Sequence, residues 1–163
     1  MKLFTVGYGG AAPRALQECL VKAGVRTVVD VRLRPDRASM GTYVKAKAPE
    51  KGIERLLGEV GVAYRSLPEL GNLFLDYEDW RERYTALLAR AGDLLVSRLA
   101  EVPGPICLLC AERRSEDCHR TLIAQYLAST ADSEIEHLVP AWIRHHVECQ
   151  GAGLGETEVA CGG

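Results

Sequence analysis

The residues best suited to chemistry are gathered in one segment, Cys107-Leu108-Leu109-Cys110-Ala111-Glu112-Arg113-Arg114-Ser115-Glu116-Asp117-Cys118-His119-Arg120. An apolar run passes into a polar loop and then into a helix expected to begin near Ser115. Unpaired N–H groups and the helix dipole favour an anion at such an end, and the neighbouring arginines add to that attraction. A cysteine in the first turn of a helix loses its proton more readily and becomes nucleophilic. Cys118 is therefore the candidate nucleophile, His119 a candidate acid or base, and Glu112 a base or an orienting group. Each also has a bland reading. Cys118 shares a face with Leu122 and Tyr126 at i, i+4 and i+8, where cysteine packs as a small hydrophobe. His119 can simply bond a neighbouring loop, and Glu112 can pair with Arg120 to hold the loop shut.

Positioning these groups requires strands and helices in alternation. Phe4-Thr5-Val6 reads as a strand opening onto Gly7-Tyr8-Gly9-Gly10, and a helix follows from about Pro13 until Gly24 stops it. Thr27–Val31 is a buried strand, and helix returns with Ile53, Leu56, Leu57 and Val60. Val62–Ser66 is a third strand. A long helix from about Tyr77 carries Trp80, Tyr84, Leu87, Leu88, Ala91, Leu94, Leu95 and Leu99 on its core face. Ile106–Cys110 is the most apolar strand and Ile135–Val139 the last, with a final helical turn through Trp142 and Ile143. The order predicts a three-layer, Rossmann-like α/β fold: a mostly parallel five-stranded sheet with helices on both faces. Residues 1–148 form one domain in this reading. Residues 149–163, rich in glycine and without periodicity, are expected to be a disordered tail.

In such sheets ligands bind beyond the carboxyl ends of the strands. Tyr8, the stretch Asp30, Arg32 and Arg34, the stretch Glu69 to Asn72, and Cys110 through Arg120 all fall there. The expected site thus has Glu112, Cys118 and His119 as reactive groups. Tyr8, Asp30, Arg32, Arg34, Glu69, Asn72, Cys110 and Arg120 are its ligand-binding candidates, with Arg32 and Arg120 holding a phosphate or carboxylate. A nucleotide or a nucleic-acid end is the favoured substrate class. The alternative is a non-catalytic module for nucleic acid or an acidic partner. It rests on the segment from Arg32 to Arg55, where seven basic and three acidic residues leave a net charge of +4. That segment's first part, Arg32 to Pro49, is a long irregular stretch, and loops of that kind are usually functional or mobile.

No cofactor is expected, and zinc and NAD(P) are the lesser possibilities. Cys107 and Cys110 have the spacing of zinc ligands, yet on a strand they point to opposite faces. Cys110, Cys118 and His119 can supply three ligands, but not in a standard zinc spacing. Gly7-Tyr8-Gly9-Gly10-Ala11-Ala12 matches G-x-G-x-x-A, with Asp30 following, but Pro13 starts the helix too late to meet a pyrophosphate. A phosphatase loop needs an arginine six residues after its cysteine, where Cys110 has Glu116 and Cys118 has Ala124.

The 163 residues are 47% hydrophobic and 26% charged, which is the balance of a globular domain able to bury a core without staples. A net charge of −2 provides no global attraction to nucleic acid. No stretch is long enough for a membrane span and no secretory signal is visible, so the expectation is a cytoplasmic protein with no membrane partner. In that setting the six cysteines are expected to be reduced thiols.

Four segments together resemble one family. They are Thr5-Val6-Gly7-Tyr8-Gly9, Val29-Asp30-Val31-Arg32 with Pro35, Leu67-Pro68-Glu69-Leu70-Gly71, and Leu109-Cys110-Ala111-Glu112 with Cys118-His119-Arg120. Their order and spacing resemble the bacterial and archaeal family called domain of unknown function 488 (DUF488), over about residues 3–139. The resemblance implies recurring roles for Tyr8, Asp30, Arg32, Glu69, Gly71, Cys110, Glu112, Cys118, His119 and Arg120. It implies no activity, since the family has none established. The family's usual serine two residues after the proline is here Arg37, with Ser39 nearest, which marks a divergent branch.

Overall fold

Residues 2–141 are described by a computed structural model of the chain. Five strands, β1 (Lys2–Gly7), β2 (Thr27–Asp30), β3 (Ala63–Ser66), β4 (Ile106–Cys110) and β5 (Glu134–Leu138), form one sheet in the order β3-β2-β4-β1-β5. Every pairing is parallel. The burial of each strand follows its place. β2 and β4, in the middle, are buried at every residue, whereas on the edges β3 and β5 every residue but Leu138 is partly or fully exposed. The most apolar run in the sequence, Ile106–Cys110, therefore lies between β2 and β1.

Among the described residues, four α-helices cover the sheet: α1 (Pro13–Ala23), α2 (Gly52–Gly58), α3 (Trp80–Val96) and α4 (His119–Thr130). Leu16 and Leu20 of α1 and Ile53 and Leu57 of α2 pack with Val6, Val28, Cys107 and Leu109 on one face. Tyr84 and Leu88 of α3 and Ile123 and Ala124 of α4 pack with Val29, Leu108 and Cys110 on the other. This is the expected three-layer α/β arrangement. It also separates Cys107 from Cys110, as the two-residue pleat of a strand requires.

Helix α1 starts on Pro13 and ends where Gly24 adopts φ 71°, a left-handed conformation that lets its N–H bond the carbonyls of Leu20 and Val21. Two other helix starts depart from expectation. Helix α3 begins at Trp80 rather than near Tyr77, because residues 77–80 close a separate turn with Trp80 N–H bonded to the Tyr77 carbonyl. Helix α4 begins at His119 rather than near Ser115. Cys118 is extended at φ −126°, and the Ser115 carbonyl accepts from the Cys118 N–H and the Thr121 hydroxyl. Cys118 thus caps the helix instead of lying in its first turn. On α3 the buried stripe is Tyr84, Leu88 and Gly92, while Leu94 is 77% exposed and Leu99 falls in the following 3-10 turn Ser97–Glu101.

The stretch from Arg32 to Pro49 is tethered rather than free. Tyr43, in the 3-10 turn Gly41–Tyr43, is fully buried, and its hydroxyl donates to the Ala11 carbonyl at 2.6 Å. Trp142, Ile143, Cys149, Cys161 and the tail 149–163 lie outside the described residues. Among the described residues, no helix is long and apolar enough to cross a membrane.

Candidate functional site

Loops after β1 and β2 lead to helices on one face, and loops after β3 and β4 lead to the other. The adjacent ends of β2, β4 and β1 therefore open where the chain parts, the usual place for a site in a parallel sheet. Two side-chain groups meet there.

The first is a buried polar network at the end of β2. Asp30 accepts from the Arg32 backbone N–H at 3.1 Å, from Arg32 Nε at 2.8 Å and from the Tyr64 hydroxyl at 2.6 Å. Arg32 also donates through one terminal nitrogen to the Tyr8 hydroxyl at 3.0 Å and the Tyr43 carbonyl at 2.8 Å, and through the other to Asp30. The Tyr8 and Tyr43 rings stack with centroids 4.2 Å apart. Burial opposes the Arg32 charge, but its bonds to Asp30 more than offset this, so it is a stronger base than a free guanidinium. Burial likewise raises the phenols of Tyr8, Tyr43 and Tyr64, so they act as neutral hydrogen-bonding groups. This departs from the expectation that Arg32 holds an anion: its Nε and both terminal nitrogens already have partners inside the protein.

The second group is the trio Cys110, Cys118 and His119, all buried. Their sulfur and ring-nitrogen atoms lie within 4.8 Å of one another. His119 Nε2 is 2.9 Å from the Val31 carbonyl, which can only accept, so Nε2 carries a proton and, in the neutral imidazole, Nδ1 is the nitrogen with a free lone pair. That Nδ1 lies 3.8 Å from Cys118 Sγ. Tyr84 sets an edge against the imidazole at 5.3 Å and donates its hydroxyl to the Leu70 carbonyl. Val31, between Asp30 and Arg32, links the two groups through its carbonyl.

The thiols differ in acidity. A hydrogen bond from Cys110 brings Cys118 down to about 7 against the opposing effect of burial, and the Arg120 charge assists. Cys110 is pushed well up, first as the donor in that bond and then by burial. Ultraviolet titration of the reduced protein is therefore expected to show a thiolate forming with a midpoint near pH 7, a step lost in Cys118→Ser. A first thiolate only near the ordinary 9.0 would contradict this arrangement.

Arg120 is buried and clamps the loop after β4 by donating to the main-chain carbonyls of Glu112 at 2.6 Å and Arg113 at 3.3 Å. The bond is to the Glu112 backbone. The Glu112 carboxylate is exposed and accepts instead from the Arg113 N–H. Asn72 is buried, with Oδ1 accepting from the Phe74 N–H at 2.9 Å. Two expected ligand-binding residues are engaged on the surface: Arg34 pairs with Asp36, and Glu69 with Arg98 at 2.8 Å. Within the basic segment, Lys45 and Arg55 also face acids, Glu54 and Glu59.

Gly7 and Gly9, the glycines behind the dinucleotide-type match, lie against the loop after β4. A Cβ on Gly7 would fall 1.9 Å from the Glu112 carbonyl oxygen, and one on Gly9 2.5 Å from that of Ala111. Close packing of two loops accounts for both glycines. Tyr43, Tyr64 and Tyr84 were not singled out from sequence as site residues. Tyr43 carried the one usable signal, an aromatic ring alone in a long charged loop.

The fold and site define an all-parallel, three-layer α/β protein with a cysteine–histidine–arginine constellation at its strand ends. A family model described as domain of unknown function DUF488 matches residues 12–127. The chain belongs to that family. The match leaves the Gly7-Tyr8-Gly9 opening outside its span and covers the rest of the constellation through Arg120. Neither a curated protein nor a solved structure matches the chain.

Proposed function

We propose that this chain is an enzyme-like domain that binds a small anionic ligand, of the phosphate or nucleotide class, at the carboxyl ends of its strands. The observation that carries the reading is a pair of buried donors. Among the described residues, the buried side-chain nitrogens and oxygens without a hydrogen-bond partner are Asn72 Nδ2 and Arg120 Nε. Both are donors, both belong to segments that follow strand ends, and one is cationic. An unsatisfied buried donor costs about 1–3 kcal/mol, which an acceptor-rich anion relieves. In this reading Arg120 and Asn72 are the binding groups, and Arg32 with Asp30 and Tyr8 positions the β2 end. Cys118 and His119 form the reactive part, and Glu112 is the acid or base at the rim.

A thermal-shift series on the reduced, chelator-treated protein tests this with inorganic phosphate, nucleoside mono- and triphosphates, NAD(P) and a short oligonucleotide. A ligand at about 100 times its Kd adds about 2.7 kcal/mol. For a chain of this size that is a rise of roughly 5–10 °C. The expected result is such a rise with one phosphate-bearing class, abolished at the same concentration in Asn72→Ala. A flat response to every arm would overturn the proposal. A response confined to the oligonucleotide and falling steeply with salt would overturn it in favour of backbone binding by the basic segment.

A further inference from the structure

We propose that Cys110 Sγ, Cys118 Sγ and His119 Nδ1 form a three-ligand site for a borderline or soft divalent metal ion, with Zn²⁺ as the natural probe. The inference goes beyond the anion reading and does not depend on it. It rests on geometry, donor type and surroundings together.

The three donor atoms lie within 4.8 Å of one another, close enough to share one ion. Zinc–sulfur and zinc–nitrogen bonds of about 2.3 and 2.0–2.1 Å at tetrahedral angles separate the two donors by about 3.6 Å. The Cys118 Sγ to His119 Nδ1 distance is 3.8 Å, so little movement would be needed to bring both onto one ion. The imidazole is already prepared. Its Nε2–H is held by the Val31 carbonyl at 2.9 Å, the second-shell bond that fixes a metal-binding histidine and leaves Nδ1 as the ligand.

Local structure explains why a non-standard spacing can work. Cys110 ends β4, while Cys118 is extended and His119 opens α4, so the eight-residue separation is closed by a loop rather than by a helix repeat. Arg120, one residue on, ties that loop down through the carbonyls of Glu112 and Arg113. Charge balance favours the same conclusion. Cys110 and Cys118 belong to the apolar layer between the sheet and helices α3 and α4. Two thiolates and a neutral imidazole around a divalent cation make a neutral unit, which such surroundings tolerate. Sulfur and imidazole donors select zinc-like ions over calcium or magnesium. Binding is not a redox step: each cysteine thiol gives its proton to the buffer as its sulfur bonds the metal. Three protein ligands leave a fourth position for water or an added ligand. In the metal-loaded form Cys118 and His119 serve as ligands, and the free thiol and imidazole of the anion reading belong to the metal-free form.

The test uses the full chain, reduced and stripped with chelator, then titrated with Co²⁺ and back-titrated with Zn²⁺ in the absence of any anionic ligand. The expected result is one Co²⁺ per chain, with the intense visible bands of a tetrahedral site and thiolate-to-metal charge transfer, all displaced by Zn²⁺. Cys110→Ala, Cys118→Ala and His119→Ala should each weaken binding by more than the roughly 10–100-fold cost of losing a second-shell partner. Cys107→Ala, on the same strand but the opposite face, should leave it unchanged. Weak octahedral bands, or tight binding that survives Cys110→Ala or Cys118→Ala, would overturn the site. So would a reduced protein that binds no Co²⁺ while its oxidised form carries a Cys110–Cys118 disulfide. The wild-type spectrum reads the coordination directly, so the test stands even if a variant fails to fold. Failure here leaves the anion series, run on chelator-treated protein, intact.

Discussion

Asp30→Ala is expected to destabilise the protein by about 3–5 kcal/mol, the cost of leaving a buried charge without its partner. Asp30 is fully buried and Arg32 nearly so. Removing the carboxylate leaves the buried guanidinium without its counter-charge, held only by the Tyr8 hydroxyl and the Tyr43 carbonyl, and deprives the Tyr64 hydroxyl of its acceptor. A domain of this kind has about 5–15 kcal/mol in total, so the loss is a large fraction of its stability. Urea unfolding should show the midpoint falling with the slope unchanged, and the melting temperature should drop by on the order of 10 °C. The diagnostic comparison is the double substitution Asp30→Ala with Arg32→Met, which removes the stranded charge and should be more stable than Asp30→Ala alone. A single substitution costing under about 1 kcal/mol, or a double one that is worse, would show that the pair does not brace the β2 end.

Gly7→Ala is expected to be similarly damaging, for a steric reason. The new methyl would sit 1.9 Å from the Glu112 carbonyl oxygen and close to that of Arg113. These are main-chain atoms, so no rotamer change relieves the clash; the loop after β4 must move. Overpacking usually costs about 1–3 kcal/mol, and this case belongs at or beyond the upper end. Gly7 pairs with Cys110 across the sheet, and the displaced carbonyls are those that Arg120 holds. Gly7→Ala should therefore also weaken Co²⁺ binding in whatever fraction stays folded. Gly41→Ala is the matched control: nothing lies within 4 Å of its added Cβ, and stability should stay within about ±0.5 kcal/mol. Equal stability of the two variants would mean that the β1 and β4 loops do not pack as described.

Much of the fold was legible because burial and periodicity are local signals. The β-branched run Thr27–Val31 and the apolar Ile106–Cys110 could be little other than interior strands, and both lie at the middle of the sheet. Pro13 and Gly24 bounded α1 because each has a backbone preference that acts alone. The start of α4 was not legible in this way. Polar residues before Cys118 look like a helix N-terminus, yet the Thr121 hydroxyl and the loop bonds of Arg120 hold that stretch in a turn. Leu94 has the residue type of the core face of α3 but faces solvent, because six residues past Leu88 it lies about 120° around the helix from the buried stripe of Tyr84, Leu88 and Gly92.

For the site, the sequence by itself determined which residue types collect at the strand ends, because a parallel sheet with alternating helices sends every strand-to-helix loop to one rim. Cys110, Glu112, Cys118, His119 and Arg120 were all found there from their order alone. What each can do was decided only by tertiary structure. Arg32 and Arg34 read alike in sequence. Yet Arg32 is locked between Asp30, Tyr8 and Tyr43, residues that range from two to 24 positions away, while Arg34 is exposed beside Asp36. His119 became a fixed tautomer through a carbonyl 88 residues distant, and Cys110 met Cys118 through the closure of a loop. Hydrogen-bond partners of buried polar groups are set by which segments meet in space, and no local spacing rule encodes that.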